Sequence, residues 1–274
     1  GPLGVAYAAP MLDVSHRFIE AAVESGIAYN SDINGEIQDG VSRTPCSIQN
    51  GTRQSTALTY LKPAMKRKNL KIVTGALVHR IIFEGKKAIG VEYKVLTRIC
   101  TEYAGNEIIL SAGAIRSPQI LMLSGIGPAD QLKKFNLSLV HENPSVGSNH
   151  MEHPAAYIMY ETKLPTWCSE IALFKQGCHG LNWLFRRKGP AASGVSQAVA
   201  FVRSNDQLNR PDIQLTLIPC GLGQRTKPPG LFGFRLWKSY MDQVSDRDSV
   251  MIVVNDCQPE GRGKLELASS DPSH

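Results

Sequence analysis

The 274-residue sequence predicts a mixed α/β (α+β) fold in two parts, and three observations carry that prediction. Helical hydrophobic spacing in the first third gives way to period-two runs after residue 70. A short apolar run at 107–110 leads into a turn of small residues and then a helix, as in a strand–turn–helix unit. Beyond about residue 151 the texture changes to separated strand candidates joined by long connections containing Gly and Pro.

Taken in order, residues 10–23 place Met11, Val14, Phe18 and Ala21 or Ala22 on one helical face, with Gly26 as the stop. The Asn-, Asp-, Gly- and Pro-rich stretch 30–51 reads as turns. Residues 55–65 read as a second helix through Ala57, Leu58, Leu61, Ala64 and Met65, capped by Ser55. Runs 70–74 and 77–83 are β-prone. Glu84-Gly85-Lys86-Lys87 is a hairpin turn, and 88–95 alternates Ile89, Val91, Tyr93 and Val95 on one face. Residues 107–110 have the short apolar character of a buried central strand. Ser117 is expected as N-cap and Pro118 as first residue of a helix 118–124 that stops at Gly125. A further helix, 128–135, stops at Asn136. Strands are expected at 155–161, 196–202, 212–218, 250–255 and 264–267, with a helix around 183–185. The division between the two parts falls near residues 145–155.

Composition narrows the function. With 42% hydrophobic and 20% charged residues the chain is globular, and no apolar run approaches the roughly 18 residues of a membrane helix. Membrane association is therefore open but not indicated. The net charge of +6 raises the question of an acidic partner. The basic residues are scattered, however, and the clusters at 66–68 and 186–188 border turns, so no nucleic-acid partner is expected. The six cysteines are widely spaced with no C-x-x-C, which argues against zinc or a disulfide scaffold and for reduced thiols in a cytoplasmic protein. His150 and His153 stand at i and i+3, but no third ligand is identifiable and no metal site is assigned. His16 and Glu20 read as a surface helix pair. There is no G-x-S-x-G, no phosphate-binding P-loop, no H-E-x-x-H and no G-x-G-x-x-G.

The positive signal is Ser111-Ala112-Gly113-Ala114 between strand and helix, where small residues let a ligand approach the backbone closely. The bare alternative is an ordinary tight strand-to-helix turn. Gly113-Ala114-Ile115-Arg116-Ser117-Pro118-Gln119-Ile120-Leu121-Met122-Leu123-Ser124-Gly125-Ile126-Gly127 resembles the second signature of glucose–methanol–choline (GMC) oxidoreductases at every defined position. Other segments resemble the family in the same order: Gly1-Pro2-Leu3, Gly51-Thr52-Arg53-Gln54-Ser55 with Tyr60-Leu61, and Asn69-Leu70 through Arg80-Ile81. Gly147-Ser148-Asn149 through His153-Pro154 follows, with Glu152 where the family usually has Asp. Lys188 to Ser193 with Ala200 to Arg203 is similar to choline-dehydrogenase-like members.

The resemblance implies an FAD-dependent enzyme that oxidises an alcohol by hydride transfer to the flavin, re-oxidised by an acceptor or oxygen. It implies part of an FAD-binding Rossmann-like domain in 1–150, with helical covering segments, and part of an antiparallel-sheet substrate-binding domain in 151–274. Residue by residue, Val78 is implied to contact the adenine through its backbone, and Ser111, Ala112 and Gly113 to line the ADP portion. Without the resemblance, Val78 reads as one more core strand residue. The family's G-x-G-x-x-G and its catalytic His have no counterpart in residues 1–274, so no catalytic residue is assigned. The chain is expected to be an internal fragment that neither binds FAD tightly nor turns over. The partner implied is a small-molecule alcohol, with the electron acceptor unknown. The alternative is a non-catalytic binding protein on a degenerate scaffold of this family.

Overall fold

The structure, a computed structural model, describes residues 1–7, 9–170, 173–223, 244–245 and 247–274. Its main helices are α1 (Asp13–Glu24), α2 (Gly113–Leu123), α3 (Ala129–Lys134), α4 (Trp167–Glu170) and α5 (Leu173–Arg186). Its main strands are β1 (Gly40–Arg43), β2 (Ala76–Glu84), β3 (Lys87–Val95), β4 (Arg98–Tyr103), β5 (Ala155–Glu161), β6 (Ala198–Val202), β7 (Ile213–Ile218) and β8 (Ser249–Asp256). The chain packs as two compact units. One joins Gly1–Leu70 to His153–Pro259, and the other joins Lys71–Glu152 to Glu260–His274. Residues 1–70 pack with the later segment because β1 supplies an edge to its sheet.

In the first unit five strands form one sheet in the order β5-β8-β7-β6-β1, every pair antiparallel. Helix α1 lies on it. Val14 packs with Ala198, Leu217 and Val250, and Ala22 with Val41 and Ala200. Ala198 and Ala200 are fully buried, and their small side chains leave room for Phe18 and Ile19 of the helix. Each large apolar side chain buried there contributes about 1.5–3 kcal/mol. The helix stops as its sequence predicts. Gly26, at φ +92, donates to the carbonyl of Val23, and Ile27 donates to that of Ala22. That double closure is a Schellman motif, sealed by Ala22 and Ile27 in one cluster. On the exposed face Glu20 pairs with Arg17 at 2.7 Å, not with His16.

The start of α1 depends on one buried amide. Gln197, 2% exposed, accepts at Oε1 from the N–H of Leu12 (2.9 Å) and the hydroxyl of Ser15 (2.8 Å). Its Nε2 donates to the carbonyl of Pro10 (2.9 Å) and the hydroxyl of Ser193 (3.3 Å). A side chain just before β6 thus satisfies helix-start donors that have no intrahelical partner.

The second unit holds the meander β2-β3-β4. The first turn is the expected one, with Gly85 at φ +59 between Glu84 and Lys87. The second is Leu96-Thr97, with Leu96 at φ +54 and 90% exposed. Helix α2 packs near β2, and Met122, Leu123, Leu132 and Leu267 form the local core.

Several expectations need correction, among them the strand at 264–267, of which only Lys264 lies in a strand, Gly263–Lys264. Residues 107–110 join no ladder, and Ile109 is 78% exposed, because no strand among the described residues lies beside them. The run 70–74 is likewise unpaired. Residues 55–65 are helical only over Ala57–Leu61, as a π-turn, and Lys62–Ala64, since Pro63 has no N–H to give the preceding turn. Of the three tryptophans, Trp237 lies outside the described residues.

Two outcomes follow. Gln197→Leu leaves the buried Ser15 hydroxyl and the Leu12 amide without their acceptor, at roughly 1–3 kcal/mol per group. Its urea midpoint should fall well below that of the parent chain, with an unchanged m-value. Ser124→Ala removes the acceptor of the Ile81 N–H, the buried 2.8 Å bond between β2 and the end of α2. Hydrogen exchange at the Ile81 amide should accelerate, and stability should fall by about 1–3 kcal/mol.

Candidate functional site

The candidate site lies in the second unit, on the edge strand β2 and at the start of α2. Strand β2 pairs on one side only, with β3, so alternate backbone groups along its other side have no strand partner. Val78 stands opposite Tyr93, half-buried. The register then slips: Arg80 stands opposite Glu92, which leaves His79 as the extra residue of a bulge immediately after Val78. Glu92 anchors the bulge. It accepts from Arg80 Nε (3.2 Å) and Nη2 (3.1 Å), and His79 Nδ1 stands 3.9 Å away.

Residues 111–113 form the turn into α2 and are all exposed. The helix begins at Gly113, five residues before the expected Pro118. Ala112 is its N-cap, and Pro118 sits inside it. Ser117 does not cap from outside; its hydroxyl accepts from the Ala112 N–H at 3.2 Å. That bond folds the cap residue onto the helix. Gly113 takes φ +87, where any side chain would be strained, and nothing stands within 4 Å of where a Cβ would be. The N–H groups of Gly113, Ala114 and Ile115 open the helix, where α-helical geometry supplies no internal acceptor. An exposed helix start with a bare glycine suits an anion such as a diphosphate.

The other end of α2 is closed tightly. Ser124 Oγ donates to the Ile120 carbonyl at 2.5 Å and accepts from the Ile81 N–H. Gly125 takes φ +87, and a Cβ there would collide with the Ser138 carbonyl. Beside the helix a cleft of about 440 Å³ is lined by Ile115, Arg116, Gln119, Leu267 and His274. Arg116 Nη1 donates to Gln119 Oε1 at 2.6 Å, so the cation is held over the first turns.

The structure therefore places Val78, Ser111, Ala112 and Gly113 in one unit, on two elements joined through Ser124 and Ile81. Ser124 and the cleft residues Arg116 and Gln119 were not singled out from the sequence. The signal for Ser124 was present: a serine just before a left-handed glycine, on the face that carries Ile120 and Leu123. His150 and Glu152 stand 3.8 Å apart, and no group of three metal-ligating side chains occurs among the described residues. None of the helices described there is long and apolar enough to cross a membrane.

Comparison with known proteins bears on the fold and the family. Formate oxidase from Aspergillus oryzae, studied for its FAD modification, superposes with a TM-score of 0.80 at 24% identity, over 100% of this chain and 50% of that one. Pyridoxine 4-oxidase from Mesorbium loti gives 0.76 at 23% identity, over 99% of this chain and 47% of that one. Both share the fold. The oxygen-dependent choline dehydrogenase of Brucella anthropi is 42% identical over 208 residues, 76% of this chain and 38% of the relative. That of Vibrio vulnificus is 35% identical over 257 residues, 93% of this chain and 43% of the relative. The chain thus spans about two-fifths of the curated relatives it matches. A family profile described as GMC oxidoreductase matches residues 1–155, more than half of the sequence, and the chain belongs to that family.

Proposed function

We propose that the protein to which this chain belongs is an FAD-dependent oxidoreductase that oxidises a small alcohol at its CH–OH group. The observation that carries this reading is the open start of α2, with Gly113 at φ +87 inside the family signature. In this reading Ser111, Ala112 and Gly113 line the ADP portion of the cofactor, and the helix N–H groups face its negative charge. Val78, on the edge of β2 beside the bulge, offers its backbone to the adenine. Bound FAD would supply the hydride acceptor. Residues before about 150 serve mainly the cofactor and those after it the substrate, on the antiparallel sheet. Choline is the first alcohol to try, since the relatives at 35–42% identity are choline dehydrogenases. The six cysteine thiols fit a cytoplasmic setting.

The 274-residue chain by itself is proposed to hold FAD weakly and to be inactive. The residues assigned above serve the ADP portion alone, and none is assigned to the flavin ring or as catalytic base.

The test begins with the natural protein to which this chain belongs. Purified protein should carry flavin, and its visible absorption should bleach on anaerobic addition of choline or another small alcohol. Flavin-free protein, or flavin that no alcohol bleaches, would overturn the reading. In the same protein Gly113→Val should weaken flavin retention at least about tenfold, a loss of about 1.4 kcal/mol. The isolated chain, dialysed after mixing with FAD, should retain no stoichiometric flavin.

A further inference from the structure

The first unit contains a second cluster of reactive side chains. Cys168, in α4, is 5% exposed; Cys220, just after β7, is half-buried. Their sulfurs stand 3.9 Å apart, and Ser249 Oγ of β8 lies 3.6 Å from Cys168 Sγ. The backbones that carry them are tied side by side. Trp167 N–H donates to the Pro219 carbonyl at 2.9 Å, so the residues preceding the two cysteines are hydrogen-bonded to each other. Thr166 is fixed in turn, since its N–H and hydroxyl both donate to Asp248 Oδ1, at 2.8 and 2.7 Å. Gly221 completes the cluster: a Cβ there would collide with the Ser249 hydroxyl. Two segments 52 positions apart are thus held with their thiols in contact.

We propose that Cys168 and Cys220 are a reversible redox pair that closes to a disulfide when the protein meets hydrogen peroxide. Cys220, the more exposed thiol, meets the oxidant. Its sulfur attacks a peroxide oxygen, the S–O bond forms as the O–O bond breaks, and the thiol proton leaves with the departing hydroxide as water. The Cys168 thiolate then attacks the sulfenic sulfur of Cys220. The S–S bond forms, the S–O bond breaks, and the hydroxide released takes a proton from solvent. Two thiols have lost two electrons, and one peroxide has become two waters. The ionisation state suits Cys168 to the second step, in which the attacking group is a thiolate. The hydrogen bond from Cys220, helped by Thr166 and Ser249, outweighs burial and holds the Cys168 thiol at about 5, so it is a thiolate at neutral pH. Cys46 and Cys257 are instead pushed up by burial.

The test is peptide mapping of the full chain after graded hydrogen peroxide, digested without reduction. A peptide joining Cys168 to Cys220 should appear at doses that leave the exposed Cys178 largely unlinked, and a dithiol should remove it. In Cys168→Ser the sulfenic acid on Cys220 should persist and take up dimedone, several-fold more than in the parent chain. The proposal is overturned if Cys178 is oxidised while no 168–220 link forms. It is equally overturned if Cys220 takes up as much dimedone in the parent chain as in the variant. The mapping of the parent chain decides the matter even where the variant folds poorly.

Discussion

The second unit depends on the hydroxyl of Ser124. It sits in the last turn of α2, gives its proton to the Ile120 carbonyl and receives the N–H of Ile81 from the free side of β2. An edge strand covered by a helix normally leaves buried amides without a ladder partner. Here a single side chain settles the account for the amide at the point of closest packing, where Ile81 and Ser124 are both buried. Small residues then let the chain turn away at once. Gly125 leaves the helix in a left-handed conformation under Ser138 and Val140, and Gly127 packs onto Met122. Everything assigned to the cofactor hangs from this joint. Val78 lies three residues before Ile81 on β2, and residues 111–113 lie at the far end of the helix it anchors.

The first unit uses the same device in another setting. Gln197 does for the start of α1 what Ser124 does for the end of α2: a buried polar side chain satisfies backbone groups that regular structure leaves over. Both are costly to bury and both are fully engaged, so each fixes a helix to a sheet with a geometry that apolar packing alone would leave loose. The cysteine pair follows the same logic. It lies where a backbone bond from Trp167 to Pro219 fixes the end of β7 against the start of α4. The thiols inherit that fixed spacing, which distinguishes a pair from two cysteines that merely share a neighbourhood.

Much of this was legible in the residues. Strands β5, β7 and β8, the hairpin at Gly85, the stop at Gly26 and the left-handed Asn136 follow from period and turn chemistry. What stayed hidden has physical reasons. Strand β4 follows a turn of Leu96-Thr97, which carries no turn residue, and the hairpin is held by its ladder rather than by its loop. Strand β1, with the sequence Gly-Val-Ser-Arg inside a turn-rich stretch, exists only because β6 pairs with it from far along the chain. Ser117 and Pro118 look like a helix start by every local rule. The helix nevertheless begins at Gly113, because the Ser117 hydroxyl reaches back to Ala112 and a proline this near the start forfeits only one early hydrogen bond. Most of the candidate site was read from a family resemblance. Without it, Val78 is one strand residue among many and 111–113 is an ordinary turn.

Residues 107–110 show why local fit is not enough to hold a cofactor. Their sequence is that of a buried strand, yet no ladder receives them and Ile109 faces solvent. The turn they lead into is therefore fixed from one side only, by the bond from Ala112 to Ser117 and by the helix beyond it. An anion bound at the start of α2 would have to order the preceding segment as well, and each backbone residue so fixed costs about 1–2 kcal/mol. A strand laid against 107–110 would meet that cost in advance, since it would bury Ile109 and give the backbone its ladder. On the proposed reading the helix start would supply the attraction for a diphosphate, and a strand beside 107–110 would supply the rigidity that converts attraction into affinity.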